Sequence, residues 1–125
     1  MATDPQLLKG TLPILLLAAL ESEENYGYAI VTSLQAAGFP DLSEGTVYPA
    51  LSRMEQLGWL DSKLRASTSG PARKYYRITG AGRDQVAQAE NGWRAFTHAV
   101  DTALSQLRER PAPAAPSPRS PRETS

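Results

Sequence analysis

The stretch LSEGTVYPALSRMEQLGWL, residues 42–60, reads as a short helix with two unlike faces. Val47, Leu51, Met54 and Leu57 recur at i, i+4, i+7 and i+10, the spacing of one helical face turned to a core. Ser43 is a candidate N-cap, Glu44 suits the positive end of the helix dipole, and Gly58 ends the helix. The other face carries Gly45, Thr46, Tyr48, Pro49, Ser52, Arg53 and Gln56. Small residues there let the helix approach a groove closely. Hydroxyls and an arginine supply hydrogen-bond partners to phosphates and base edges. A solvated face with no role is the alternative. Against it stands Pro49, since proline inside a helix costs roughly 3 kcal/mol. Residues that break a local rule tend to mark functional or strained sites.

Working outward, residues 26–37 place Tyr26, Ile30, Leu34 and Ala37 at helical spacing, and Gly38 with Pro40 stops that helix. Two short helices joined by a tight Gly/Pro turn make a helix-turn-helix candidate. A Leu-rich first helix is expected over residues 5–22, with Pro13 either starting its regular part or bending it. After Gly58 the period changes to two. Leu60, Ser62 and Leu64 alternate with Asp61, Lys63 and Arg65, then Lys74, Tyr76 and Ile78 alternate with Arg73, Tyr75 and Arg77. ASTSGPA, residues 66–72, is expected to be a flexible loop between the two strands. A hairpin directly after a helix-turn-helix is a wing.

Thr79-Gly80 opens a last helix running to about Arg108. Val86, Ala89, Trp93, Phe96, Val100, Ala103 and Leu107 are spaced 3, 4, 3, 4, 3 and 4, a heptad seam that can fold back on the helix over residues 5–22 or pair with a second copy in a homodimer, and both are expected. Trp93 at its centre reads first as a core aromatic. The sharper alternative is a pocket between subunits for a small aromatic effector. The tail PAPAAPSPRSPRETS, residues 111–125, has five prolines and no bulky apolar side chain, and is expected to be disordered.

The chain has 13 basic and 13 acidic side chains, a balance that first argues against a polyanionic partner. The distribution reverses this. Residues 62–83 hold Lys63, Arg65, Arg73, Lys74, Arg77 and Arg83 without one acid. Local field, not total charge, governs binding to nucleic acid. With no cysteine, disulfides, thiol nucleophiles and thiolate metal sites are excluded. No phosphate-cradling glycine loop, metal-ligand spacing or nucleophile–base set is evident, so no catalytic residue, metal or cofactor is expected. His98, the single histidine, lies off the seam and reads as a surface residue. The longest apolar run, Leu12–Leu20, is too short for the roughly 20 residues of a membrane span.

These stretches resemble the PadR family of bacterial transcriptional regulators from about Leu7 to Leu107. The resemblance is carried by LLKGTL at 7–12, YGYAI at 26–30, LSEGTVYPALSRMEQLGWL at 42–60 and ARKYYRITGAGR at 72–83. The single short C-terminal helix is similar to the smaller subgroup. The resemblance implies a dimeric winged-helix repressor on a pseudo-palindromic operator, released in some members by small aromatic or drug-like effectors. It implies a recognition helix at Ser43, Gly45, Thr46, Tyr48, Pro49 and Arg53, a phosphate contact at Lys9, and a wing motif at Arg73, Lys74 and Tyr75. By position, Trp93 matches an aromatic lining an inter-subunit pore. Pro13, Val47 and the Pro/Arg tail depart from the family pattern.

The expected fold is mostly α with a small β-hairpin. A winged helix-turn-helix over 1–79 precedes a dimerisation helix over 80–110 and a tail over 111–125. The expected function is a cytoplasmic homodimeric regulator of transcription that binds double-stranded DNA through the recognition helix and the wing cations Lys63, Arg65, Arg73 and Lys74. Two rivals are a ligand sensor built on Trp93 and a protein-only interaction module.

Overall fold

The computed structural model describes residues 4–110. Its elements in order are α1 (Pro5–Ala19), β1 (Asn25–Tyr26), α2 (Gly27–Ala36), α3 (Glu44–Gln56), β2 (Leu60–Ser67), β3 (Gly70–Ile78) and α4 (Gly80–Glu109). The chain divides into two compact units, one up to Glu90 and one from Asn91 onward, each described by itself.

The first unit is the winged helix-turn-helix. Leu12, Leu16, Leu17 and Leu20 of the α1 segment meet Ile30, Val31 and Leu34 of α2 and Val47, Leu51 and Met54 of α3. Leu60, Tyr76, Ile78 and Val86 close the same core from the sheet and the start of α4. At roughly 1.5–3 kcal/mol for each large apolar side chain removed from water, this cluster dominates the stability of a unit this small. Asp4 caps α1, its carboxylate accepting from the Gln6 N–H at 2.8 Å. Pro13 lies inside α1, which continues through it and ends at Ala19, three residues before the expected end.

The turn between α2 and α3 is set by Gly38, whose φ of 132° suits a residue without Cβ. The Phe39 N–H then reaches back to the Leu34 carbonyl at 3.1 Å, and the Gln35 side chain donates to the Leu42 carbonyl at 2.8 Å. Gly58 repeats the device after α3 with φ of 83°, and the Trp59 N–H bonds the Met54 carbonyl at 3.0 Å. Ser43 occupies the N-cap of α3, but its hydroxyl pairs with that of Thr46 at 3.2 Å and makes no cap bond. Leu57, expected on the buried face, is the C-cap residue of α3 and 48% exposed. The chain leaves the helix there, so the helical spacing no longer points inward.

The sheet has three strands, in the order β1-β3-β2. Its hairpin is longer than expected. The loop expected over 66–72 shortens to a turn at Thr68-Ser69, because β2 runs to Ser67 and β3 begins at Gly70, with an irregularity in register between Arg65 and Ser67. Backbone pairing overrode a composition of small and turn-forming residues. Strand β1 pairs antiparallel with β3, Asn25 with Tyr76 and Tyr26 with Tyr75. It replaces the expected first residue of α2, which starts at Gly27. Thr79 joins three elements: its hydroxyl donates to the Gly58 carbonyl at 2.6 Å and accepts the Gly82 N–H at 3.0 Å. At Gly82 an added Cβ would stand 2.1 Å from the Trp59 carbonyl oxygen, so the start of α4 needs glycine to pack there.

Candidate nucleic-acid interface

Helix α3 buries Val47, Leu51 and Met54 and leaves Ser43, Gly45, Thr46, Tyr48, Pro49, Ser52 and Arg53 exposed. Pro49 has no N–H, so the Gly45 carbonyl lacks its usual intrahelical partner on this outer face. Tyr48 is not a free-standing ring. It lies against the first turn of α2, where a Cβ on Gly27 would be 2.1 Å from a ring carbon. Its phenol is pushed up from its ordinary value, first by burial and then by the Glu44 carboxylate that hydrogen-bonds it. Gly27 therefore fixes where Tyr48 sits on the face.

Arg53 and Lys9 line a shared groove of about 520 Å³ between α1 and α3, floored by Leu8, Leu12, Pro13 and Ala50. Among the described residues neither has a carboxylate within ion-pair distance. Two cations from different helices thus face solvent together beside the outer face of α3.

The wing cations have different surroundings. Arg65 pairs with Glu24, Lys74 with Glu55 at 3.1 Å, and Arg77 with Asp61 at 3.0 Å. Glu55 also accepts the Ser62 hydroxyl at 2.5 Å, which ties the end of α3 to both long strands. That bond first, and the Lys74 ammonium second, hold the Glu55 carboxyl below the usual carboxylate range, and Glu55 in turn raises Lys74. Lys63 and Arg73 have no ion pair among the described residues. Arg73 stands 4.4 Å over the Tyr26 ring and Arg65 4.5 Å over that of Tyr75. Sequence reading grouped Lys63, Arg65, Arg73, Lys74 and Tyr75 as one basic surface; the acids that neutralise part of it come from α1–β1 and α3. Tyr26 and Glu24 were missed as neighbours of the wing because a two-residue strand is too short to register as an alternation, and Glu55 because its contacts join α3 to strands that periodicity does not relate to it.

In the second unit α4 exposes Trp93 (42%), Phe96 (64%), Val100, Leu104 and Leu107. The seam residues Ala103 and Leu107 share a shallow groove with Gln106 and Arg110. Val86 is a correction to the expected dimer seam: it is 1% exposed and belongs to the core of the first unit, with Ala89 half-buried after it. The exposed part of the seam starts at Trp93.

The family model for the PadR-like transcriptional regulators matches residues 16–88, the helix-turn-helix, the wing and the start of α4. The chain belongs to the PadR-like family. A PadR-like transcriptional regulator from Bacillus cereus is 38% identical, covering 85% of this chain and 99% of its own, with a TM-score of 0.67. A PadR family regulator from Eggerthella lenta is 36% identical over 86% of this chain and 89% of its own, at 0.70. A Streptococcus transcriptional regulator, 34% identical, covers 81% and 99% at 0.72. This PadR-like chain has the winged-helix fold with a long C-terminal helix, in a family of transcriptional regulators. Among the described residues no helix is long and apolar enough to cross a membrane. None of their acidic and histidine side chains cluster as metal ligands do.

Proposed function

We propose that this PadR-like chain is a cytoplasmic homodimeric repressor that binds a pseudo-palindromic operator in double-stranded DNA. The observation that carries it is the outer face of α3, where exposed hydroxyls accompany Arg53, a cation with no ion pair among the described residues. In this reading α3 enters the major groove. Ser43, Gly45, Thr46, Tyr48, Pro49 and Ser52 form the close-approach surface, and Arg53 and Lys9 meet base edges or phosphates. The wing lies on flanking backbone. Two copies joined along α4 through Trp93, Phe96, Val100, Ala103 and Leu107 set their recognition helices about 34 Å apart, one turn of B-DNA.

The test is titration of the purified protein with the duplex upstream of its own gene, alongside a scrambled duplex, at several salt concentrations. Selective binding with a steep negative salt slope is the expected result. No affinity for either duplex at low salt would overturn the reading in favour of a protein-interaction module.

A second reading adds an effector. Trp93 and Phe96 place exposed aromatic surface on the same helix, a stacking platform for a flat aromatic compound. Quenching of Trp93 fluorescence by such compounds, absent in Trp93→Phe although half-buried Trp59 still emits, is the expected signature.

A further inference from the structure

The sheet has one face packed on the core and one open face, and the open face carries an ordered row of rings and cations. Strand register sets Arg65 directly opposite Arg73 and Lys63 opposite Tyr75, while Tyr26 of β1 faces Tyr75 from the other side. Like charges directly opposite each other on a ladder repel. Here each arginine is drawn over a ring: Arg73 over Tyr26 at 4.4 Å, Arg65 over Tyr75 at 4.5 Å. The two rings are 5.4 Å apart and inclined at 56°, a favourable tilted pair.

The two arginines then diverge. Arg65 directs its guanidinium to Glu24, two residues before Tyr26. Arg73 has no carboxylate partner and no side-chain hydrogen bond among the described residues. A ring holds a guanidinium through its π-face without consuming any of its five N–H donors. Arg73 is thereby oriented with its donors unused, the state required of a bidentate phosphate ligand. Tyr26 is also the N-cap residue of α2, so its ring links the wing to the first helix of the helix-turn-helix.

We propose that Tyr26 is a positioning residue that holds Arg73 as the wing's principal phosphate ligand, and that Arg65, bonded to Glu24, does not serve as one. This rests on the DNA-binding reading above. Phosphate contacts do not depend on sequence, so the test uses a random-sequence duplex at a series of salt concentrations starting from low salt. Affinities and salt slopes are measured for the wild type, Tyr26→Leu, Tyr26→Phe, Arg73→Ala, Arg65→Ala and the Tyr26→Leu/Arg73→Ala double variant.

Tyr26→Leu is expected to weaken binding about two- to fivefold, the size of an exposed cation–π contact. Tyr26→Phe keeps the ring and is expected to keep the affinity. In the Arg73→Ala background Tyr26→Leu is expected to have no further effect. Arg73→Ala reduces the salt slope by about 0.9 per protomer, whereas Arg65→Ala leaves it unchanged. Additive losses in the double variant, or equal loss of slope from Arg65→Ala and Arg73→Ala, would overturn the proposal. The slope comparison stands even if Tyr26→Leu fails to fold. A wild type with no affinity for the duplex would instead bring down the DNA-binding reading, and this proposal with it.

Discussion

Arg53 and Lys74 carry the same charge into different surroundings. Arg53 is exposed on α3 and has no ion pair among the described residues, whereas Lys74 is bonded to Glu55 beneath the wing. Arg53→Ala is therefore expected to cost about 1–3 kcal/mol in operator binding while leaving Tm unchanged. Lys74→Ala is expected to do the reverse in emphasis. It removes a partly exposed ion pair worth at most roughly 1 kcal/mol and loosens the wing, with a smaller and indirect effect on DNA affinity. Binding isotherms and thermal melts of the two variants separate the roles, and equal effects on both readouts would refute the distinction. Gly27 is the other residue whose role follows from one contact. A methyl group there would overlap the Tyr48 ring at 2.1 Å, so either α2 or the ring must move. Gly27→Ala is expected to destabilise by about 1–3 kcal/mol, the usual range for overpacking. Adding Tyr48→Ala should recover part of the lost Tm, and no recovery would mean that the clash is absorbed elsewhere.

The wing shows what holds an element in place when its tip has no core. Leu64 is 70% exposed, so the outer half of the hairpin is anchored by polar contacts rather than burial. Glu55 is central to that anchoring, through Ser62 on β2 and Lys74 on β3. Its carboxyl has a lower pKa folded than unfolded. Its stabilising contribution is thus complete above the unfolded value of about 4.3 and is lost as pH falls through the folded one. The difference in Tm between wild type and Glu55→Gln should accordingly be constant near neutrality and shrink in acid. A difference that persists unchanged to pH 3 would remove Glu55 from this role. The same anchoring explains what was legible beforehand. The faces of α3 and the alternation in β2 and β3 are local periodicities, and the sequence carries them openly. Strand β1 and the pairings of Glu24, Glu55 and Asp61 with wing cations are products of chain reversal, joining residues up to 41 apart for Glu24 and Arg65. The span 66–72 was misread for a related reason: its small polar residues favour a turn, yet cross-strand hydrogen bonds extend the ladder to Ser67 and Gly70.

At the scale of the molecule, neutrality and DNA binding are reconciled by where charge is cancelled. Three wing cations are paired within the chain, while Lys9, Arg53, Lys63 and Arg73 are unpaired among the described residues of α1, α3 and the wing. If each of these four meets one phosphate, a dimer should show a salt slope of about −7; recruiting the three paired cations as well would take it towards −13. The slope thus reports whether DNA opens the internal ion pairs. Under the proposed dimer it also depends on assembly, because half the contacts would belong to each copy. In the proposed dimer, burying the exposed seam of α4 against a second copy would supply the apolar burial that Phe96 and Leu107 lack in the single chain. The double substitution Phe96→Lys/Leu107→Lys places charge on that seam without touching the core of the first unit. It is expected to yield a folded monomer by sedimentation, with operator affinity reduced at least a hundredfold and the salt slope roughly halved. A variant that remains dimeric would move the interface off this seam. A monomer that keeps full affinity and slope would mean that one winged helix accounts for the whole contact with DNA.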